Sequence, residues 1–287
     1  MSVQYIEIPL HITGFWYSIV DEDPLYSGSL GAGLNLGPGI KVRPYTEFNI
    51  VGSEGNFLYD TYKEAFKLSG FRETGLYVEG VNLLGLGFGL SAGYALAGLM
   101  LSNLENGYSR TWFEIGRYVH IAEVKYRTGY GDVIALLTGG LEYRLAPGAP
   151  GVGLADKIPV DRDISVLVSI TGAMSTPEML SMYGERIRDV GPRLYKYFSG
   201  NPSFERFIET SYKFSREVGM LDDSLENQLQ MLIGRYLSNG GVLGFHRKKN
   251  LLVVYSDKSV VKEVYDSLRR RWKTFIYTID FCGIRVV

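Results

Sequence analysis

Apolar and polar residues alternate from Val3 to Ile8, and the same period of two returns over Gly39 to Tyr45 and Leu76 to Val81, with Gly and Pro punctuating the segments. Successive side chains of a strand point to opposite faces, so these segments predict short strands in the first third of the chain. From Phe57 to Leu68 the period lengthens: apolar residues at 57, 58, 62, 65, 66 and 68 predict an amphipathic helix. Helices are also expected after Gly89, over Arg110 to Val119 and after Asp132. Pro147-Gly148-Ala149-Pro150-Gly151-Val152-Gly153 interrupts the pattern and reads as a surface crossing, the best candidate for a boundary between two units. Beyond it, Ile164 to Ile170 is an apolar run suited to a buried strand. Ser203 to Val218 and Ser224 to Leu237 have helical spacing, the second with Leu225, Leu229, Leu232, Ile233 and Tyr236 on one face. Val242 to Phe245, Leu251 to Tyr255 and Phe275 to Ile279 predict further strands, with a helix over Lys258 to Arg271 between the last two, a pattern that suits an α+β sandwich.

One segment stands outside both periods. In Gly85-Leu86-Gly87-Phe88-Gly89-Leu90-Ser91, alternate glycines lead into Ala92-Gly93-Tyr94-Ala95-Leu96, a small-residue stretch with helix-forming character. Glycine permits positive φ and lets a ligand approach backbone amides, and the helix that follows adds its unpaired N–H groups and positive dipole end. An anion is expected there. Residues 83 to 101 carry no charge and approach the length of a membrane span. Glycines 85, 87 and 89 leave only a short continuous helix, however, and no second apolar stretch of similar length exists, so a span is not expected. The bland alternative is a tight turn before a buried helix.

Composition narrows the picture. The 287 residues suffice for two ordinary domains, and 46% hydrophobic with 21% charged residues is the make-up of a globular protein. Thirty basic against thirty-one acidic residues leave a net charge of −1, so no global field favours nucleic acid or an anionic membrane. Cys282 is the only cysteine, which rules out an internal disulfide and multi-cysteine metal sites and fits a reducing cytoplasm. Met1 to Ile8 has no basic region followed by an apolar one and does not read as a signal peptide.

About thirty residues beyond the glycine loop lies a second cluster: His120-Ile121-Ala122-Glu123, Thr128-Gly129-Tyr130-Gly131-Asp132, Gly139-Gly140 and Arg144. Phosphoryl transfer needs a magnesium ligand, a residue to position or deprotonate the acceptor hydroxyl, and fixed donors for phosphate charge. Glu123, Asp132 and the loop amides are candidates for the three. The bland readings are a helix cap for Ser91 or Asp132, structural ion pairs for Glu123 and Arg144, and packed histidines at His11 and His120.

Three stretches resemble the GHMP kinase superfamily of small-molecule kinases and, within it, the archaeal pantoate kinases. They are His11-Ile12-Thr13-Gly14-Phe15 with Gly28-Ser29-Leu30-Gly31-Ala32-Gly33; the loop Gly85 to Ser91; and Ala122 through Gly129-Tyr130-Gly131-Asp132 to Gly139-Gly140, Arg144 and Pro147 to Gly151. The resemblance implies a GHMP kinase fold: an N-terminal ribosomal S5 domain 2-like domain over residues 1–158 and a C-terminal ferredoxin-like α/β sandwich over 159–287. It implies ATP bound by Gly85, Leu86, Gly87, Phe88, Gly89, Leu90 and Ser91, and Mg2+ held by Glu123 and Ser91. Asp132 is implied to orient or deprotonate the acceptor, with Glu123 and Ser91 also in the catalytic set. Arg144, Ser29 and His11 are implied to contact substrate; a guanidinium fork matches a carboxylate.

The activity implied is ATP-dependent phosphorylation of the (R)-pantoate hydroxyl to 4-phosphopantoate in archaeal coenzyme A synthesis, with a small-molecule partner, no nucleic acid or membrane, and a homodimer. Two alternatives stay open in the sequence: a GHMP kinase for a mevalonate- or homoserine-like acceptor, and a catalytically silent nucleotide-binding homologue. The chain departs from the family pattern at Leu83, where a proline commonly opens the loop, and at Leu30, where the pattern has arginine. Asn239 to Phe245 stands for a reduced C-terminal glycine motif and is followed by His246-Arg247-Lys248-Lys249, so closure over that side is expected to differ.

Overall fold

The alternating start of the chain runs on much further than its pattern announces. In the computed structural model, which describes residues 5–52, 55–80, 83–160, 163–172, 174 and 176–287, strand β1 spans Ile6–Ile19. The expected strand residues Val3, Gln4 and Val81 lie outside the described residues. β1 is buried almost throughout, on both faces, so the apolar/polar alternation fades after Ile8 although the strand does not end. Its partner β2 (Gly28–Tyr45) pairs antiparallel from Ile6↔Val42 to Ile19↔Gly28. The first half of β2 is rich in glycine and does not read as a strand because its neighbours crowd it. A Cβ on Gly28 would stand 2.3 Å from the amide of Gly148.

The remaining elements in chain order are β3 (Ile50–Gly52), β4 (Gly55–Phe57), α1 (Asp60–Ser69), β5 (Gly75–Glu79), α2 (Leu90–Glu105), α3 (Trp112–Tyr126), α4 (Asp132–Thr138), β6 (Leu141–Ala146), β7 (Leu154–Ile158), β8 (Ile164–Ile170), α5 (Thr176–Ser199), α6 (Phe204–Val218), α7 (Asp223–Ser238), β9 (Val242–Lys248), β10 (Leu251–Asp257), α8 (Val261–Leu268), β11 (Lys273–Ile279) and β12 (Arg285–Val286). The expected helices at 57–68, 110–119, 203–218 and 224–237 are present with shifted ends. The helix expected over 258–271 is confined to α8.

The Pro/Gly stretch 147–153, expected as a boundary, is instead the turn of a hairpin: β6 and β7 pair across it with Arg144 opposite Ala155. Ala149 is fully buried there, its amide bonded to the carbonyl of Leu25. Helix α5 escapes the sequence pattern altogether, because Gly191-Pro192 in its interior reads as a break. Packing supplies the reason for the glycine: a Cβ on Gly191 would approach the carbonyl oxygen of Trp16 to 2.6 Å, so its absence lets α5 lie directly on β1.

Strands β9, β10, β8 and β11 form an antiparallel sheet in that order. β11 then continues into the first sheet, where Thr278 and Ile279 pair with Gly37 and Leu36 of β2. One apolar core extends from β1 and α2 to α5 and α6, and a second lies under α7 and α8. Phe15 on β1 joins the halves of the first core, its ring centroid 4.9 Å from that of Phe198 and 6.3 Å from that of Phe207. Helix α2 is apolar on all sides and nearly every residue is buried, as the centre of a layered fold requires. Among the described residues, no helix is long and apolar enough to cross a membrane.

Phe15→Ala removes the ring at this junction. We expect a loss of about 3–5 kcal/mol in stability, measured by urea unfolding; a loss below about 1 kcal/mol would mean that the aromatic contact does not hold the halves of the core together.

Candidate active site

The cleft forms where the start of α2 meets the hairpin turn between β9 and β10. Gly85, Gly87 and Gly89 have φ of +82°, +105° and +70°, a left-handed run that side chains resist, and it turns the chain sharply into the helix. The amide of His11 on β1 donates to the carbonyl of Phe88 at 2.9 Å and fixes the loop to the sheet. No side chain caps α2, and its first turn carries no acidic residue. Its first amides and positive end therefore stay available to an anion. The Tyr59 hydroxyl donates to the carbonyl of Ser91 at 2.6 Å and steadies this first turn.

Glu123 lies behind Ser91. It is 1% exposed on α3, and its Oε1 accepts hydrogen bonds from Ser91 Oγ and Thr128 Oγ1, both at 2.7 Å. Its Oε2 is buried with no hydrogen-bond partner among the described residues. Burial, reinforced by the charge of Asp132, pushes the Glu123 carboxyl up to about 7. A Cβ on Gly129 would stand 2.2 Å from Glu123 Oε2 and 3.1 Å from Asp132 Oδ2. The bare glycine thus keeps a small space open between two carboxyl groups.

Asp132 begins α4 and is 19% exposed at its side chain. Burial alone would raise its pKa. The hydrogen bond from His11 and the charges of Lys248, His11 and Arg144 together outweigh burial and hold the carboxyl well below the usual range. Asp132 also lies at the mouth of α2, since a Cβ on Gly89 would be 3.6 Å from its Oδ1. His11 is fully buried, with Nδ1 2.8 Å from Asp132 Oδ1 and Nε2 3.1 Å from Glu142 Oε1. A neutral imidazole has one N–H, so both contacts are hydrogen bonds to carboxylates only if both nitrogens donate. His11, expected against substrate, instead stands behind Asp132 and is fully buried, because the Asp132 carboxylate and Glu142 take up both of its ring nitrogens.

Arg144 on β6 donates from Nη1 to Ser29 Oγ at 2.8 Å and lies 3.3 Å from Glu142 Oε2 through Nε. Its Nη2 is buried without a hydrogen-bond partner among the described residues. Arg144 and Ser29 line the cleft with Asp132, Ser91 and the loop glycines. Leu86, expected in the loop's ligand contacts, packs against the apolar core instead. The structure therefore gathers the expected residues around one cavity of about 310 Å³, with Glu123 reaching it through Ser91 and His11 held behind it.

The run His246 to Lys249 stood out in the sequence, but its two lysines were given no place in the site. Lys248 and Lys249 enter the same cavity from the β9–β10 turn, and both are 7% exposed. Lys248 Nζ donates to Thr13 Oγ1 at 3.2 Å and Lys249 Nζ to Thr176 Oγ1 at 2.7 Å. Burial, with the charge of Lys248, pushes Lys249 down to about 8. The only signal was the pair of basic residues in a turn between two apolar strands.

No family model matches the chain. Over 237 residues it is 35% identical to the pantoate kinase of Thermococcus kodakarensis, a match covering 76% of this chain and 77% of that protein. The chain belongs to the pantoate kinase family. With the pantoate kinase of Methanocaldococcus jannaschii it shares 28% identity over 277 residues, 91% of this chain and 96% of that protein. A solved phosphotransferase related to the CoA biosynthesis pathway superposes with a TM-score of 0.82 at 25% identity, covering 99% and 98% of the two chains. A homoserine kinase from Cytophaga hutchinsonii shares the fold, with a TM-score of 0.66 at 13% identity over 100% of this chain and 98% of that one. The chain thus has the mixed α/β fold of these kinases.

The raised Glu123 carboxyl yields a pH prediction for this family member. The folded protein retains, up to about pH 7, a proton that the unfolded chain releases near pH 4.5. Stability from this group is therefore present below pH 4.5, is lost as pH rises towards 7, and stays lost above. Glu123→Gln removes the penalty. In metal-free buffer at pH 8 the variant is expected to be more stable by about 3 kcal/mol, with the difference vanishing near pH 4.5. Thermal melts at the two pH values measure it, and an equal or lower Tm at pH 8 would contradict the burial described.

Proposed function

We propose that the protein transfers the γ-phosphoryl group of ATP to the primary hydroxyl of (R)-pantoate, giving 4-phosphopantoate for coenzyme A synthesis. The observation that carries this is the meeting of the uncapped start of α2, the Asp132 carboxylate and the Arg144 side chain in one cleft. Family membership supplies the acceptor.

The loop from Gly85 to Ser91 and the α2 amides receive the triphosphate. Among the described residues no group of three or more His, Cys, Asp or Glu side chains is placed to hold a metal ion. Magnesium needs no such cage: one or two carboxylates, phosphate oxygens and water suffice. The free Glu123 Oε2, the Ser91 hydroxyl and the space left by Gly129 fit it as hard oxygen donors. Bound there by Glu123 and Ser91, Mg2+ would neutralise charge on the phosphate oxygens.

Asp132 accepts a hydrogen bond from the pantoate hydroxyl and points its oxygen along the line of attack. Held so far below the usual range it is a weak base, so its main contribution is alignment, and the hydroxyl proton passes to its carboxylate only as the bond to phosphorus forms. His11 keeps the carboxylate in this orientation from behind. Arg144 Nη2 receives the pantoate carboxylate, with Ser29 fixing the other guanidinium nitrogen.

The sheet order β11-β8-β10-β9, with three helices between β8 and β9 and one between β10 and β11, supports a ferredoxin-like unit over 159–287. A ribosomal S5 domain 2-like unit precedes it over 1–158. The single cysteine fits a cytoplasmic setting, and the family resemblance adds a homodimer, which light scattering of the purified chain would measure.

Purified protein incubated with ATP, Mg2+ and pantoate should yield the phosphorylated acid, detected by mass, and little product from mevalonate or homoserine. Turnover of another acceptor with none of pantoate would overturn this assignment, and ATP binding without ADP formation across the panel would support a silent homologue. Asp132→Ala should slow turnover by roughly 10²- to 10⁴-fold in a protein that still folds, as circular dichroism would show. Arg144→Lys, which loses the fork but keeps the charge, should raise KM for pantoate by about tenfold or more while leaving KM for ATP alone.

A further inference from the structure

The β9–β10 turn consists of two residues, Lys249 and Asn250, because Lys248 pairs directly with Leu251. Lys249 occupies its first position with φ of +53°, where glycine would fit without strain and a long side chain does not. A strained non-glycine position points to the side chain as its reason. That side chain runs back across the glycine loop: a Cβ on Gly87 would stand 3.3 Å from Lys249 Cδ. Its ammonium group is buried, lines the cleft, and is held by one neutral partner, Thr176 Oγ1 at 2.7 Å. No carboxylate among the described residues lies within ion-pair distance of it, although both Asp132 and Glu123 feel its charge. A buried cation without an anion is an expensive arrangement unless an anion arrives.

The site described above implies which anion that is. Asp132 marks the acceptor side of the cleft and Glu123 the metal side, and Lys249 feels the charge of both. We propose that Lys249, carried in from the C-terminal half of the chain, is a catalytic residue that binds the terminal phosphoryl group of ATP and stabilises its charge during transfer. This rests on the kinase reading of the same cleft. In the step itself, the acceptor oxygen forms a bond to the γ-phosphorus as the bond from phosphorus to the ADP oxygen breaks. Lys249 exchanges neither a proton nor an electron pair with the reacting groups; its ammonium stays opposite the phosphoryl oxygens throughout.

Two variants separate this role from a merely structural one. Lys249→Gly relieves the strained φ and should keep or raise the melting temperature, while kcat for pantoate phosphorylation falls by about 10²- to 10³-fold. Lys249→Met keeps the aliphatic stem over Gly87 and should fall by as much. Near-wild-type kcat in either folded variant overturns the proposal. If the wild-type protein leaves pantoate unmodified, the kinase reading fails instead, and calorimetry with ATP and ADP then decides the Lys249 assignment. Loss of ATP preference over ADP in Lys249→Gly supports it, and an unchanged preference overturns it.

Discussion

The amino end of α2 governs the organisation of this protein. A helix start with no capping side chain and no nearby acid is electrostatically incomplete, and here it opens on a cleft rather than on bulk solvent. It stays there because three constraints coincide. Left-handed glycines turn the chain into it, the β1 backbone holds the carbonyl of Phe88, and the helix behind it is buried all round. Gly93 and Gly98 contribute by having no side chain, since a Cβ on either would collide with Ile8 or with the Tyr62 hydroxyl. These two glycines serve close packing against a strand and a neighbouring helix.

Around that end, environment drives two carboxyl groups apart. Glu123 is desolvated and repelled by its neighbour, so its neutral form is favoured; Asp132 is surrounded by cations and donors, so it stays charged. Two acids a few residues apart in sequence are thereby suited to different work, the one to meeting a hard cation when it arrives and the other to holding an alcohol. The cations that hold Asp132 charged come from distant parts of the chain: Arg144 from β6 and Lys248 from the end of β9.

Much of the site was legible in the sequence because its signals are local. Alternate glycines before a small-residue stretch imply accessible amides whatever the fold, and Asp132 after Gly131 at a helix start is equally local. The illegible parts depend on long-range contact. Lys248 meets Thr13 from the far end of the chain, and two lysines in a turn look the same whether they face solvent or a cleft. His11 was visible as a residue of interest, but that Asp132, 121 residues further on, packs over it is decided by the fold. Helix α5 was missed because Gly191-Pro192 breaks the helical pattern, whereas in the fold the glycine is what allows contact with Trp16. Likewise the hairpin at 147–153 resembled a linker by composition, and only the pairing of β6 with β7 shows that it is internal to a sheet.

β11 is a single strand with two partners: it pairs with β8 over Lys273 to Tyr277 and with β2 at Thr278 and Ile279. The spacing between the hairpin that bears Lys249 and the strand that bears His11 is therefore written into a few backbone pairings more than a hundred residues from the glycine loop. A single-residue insertion there would slide one sheet past the other by about 3.3 Å and reverse which side chains face inward. Positions that never meet a ligand thus act as the gauge for in-line geometry, and drift in the carboxy-terminal strand is constrained by chemistry performed at the other end of the polypeptide.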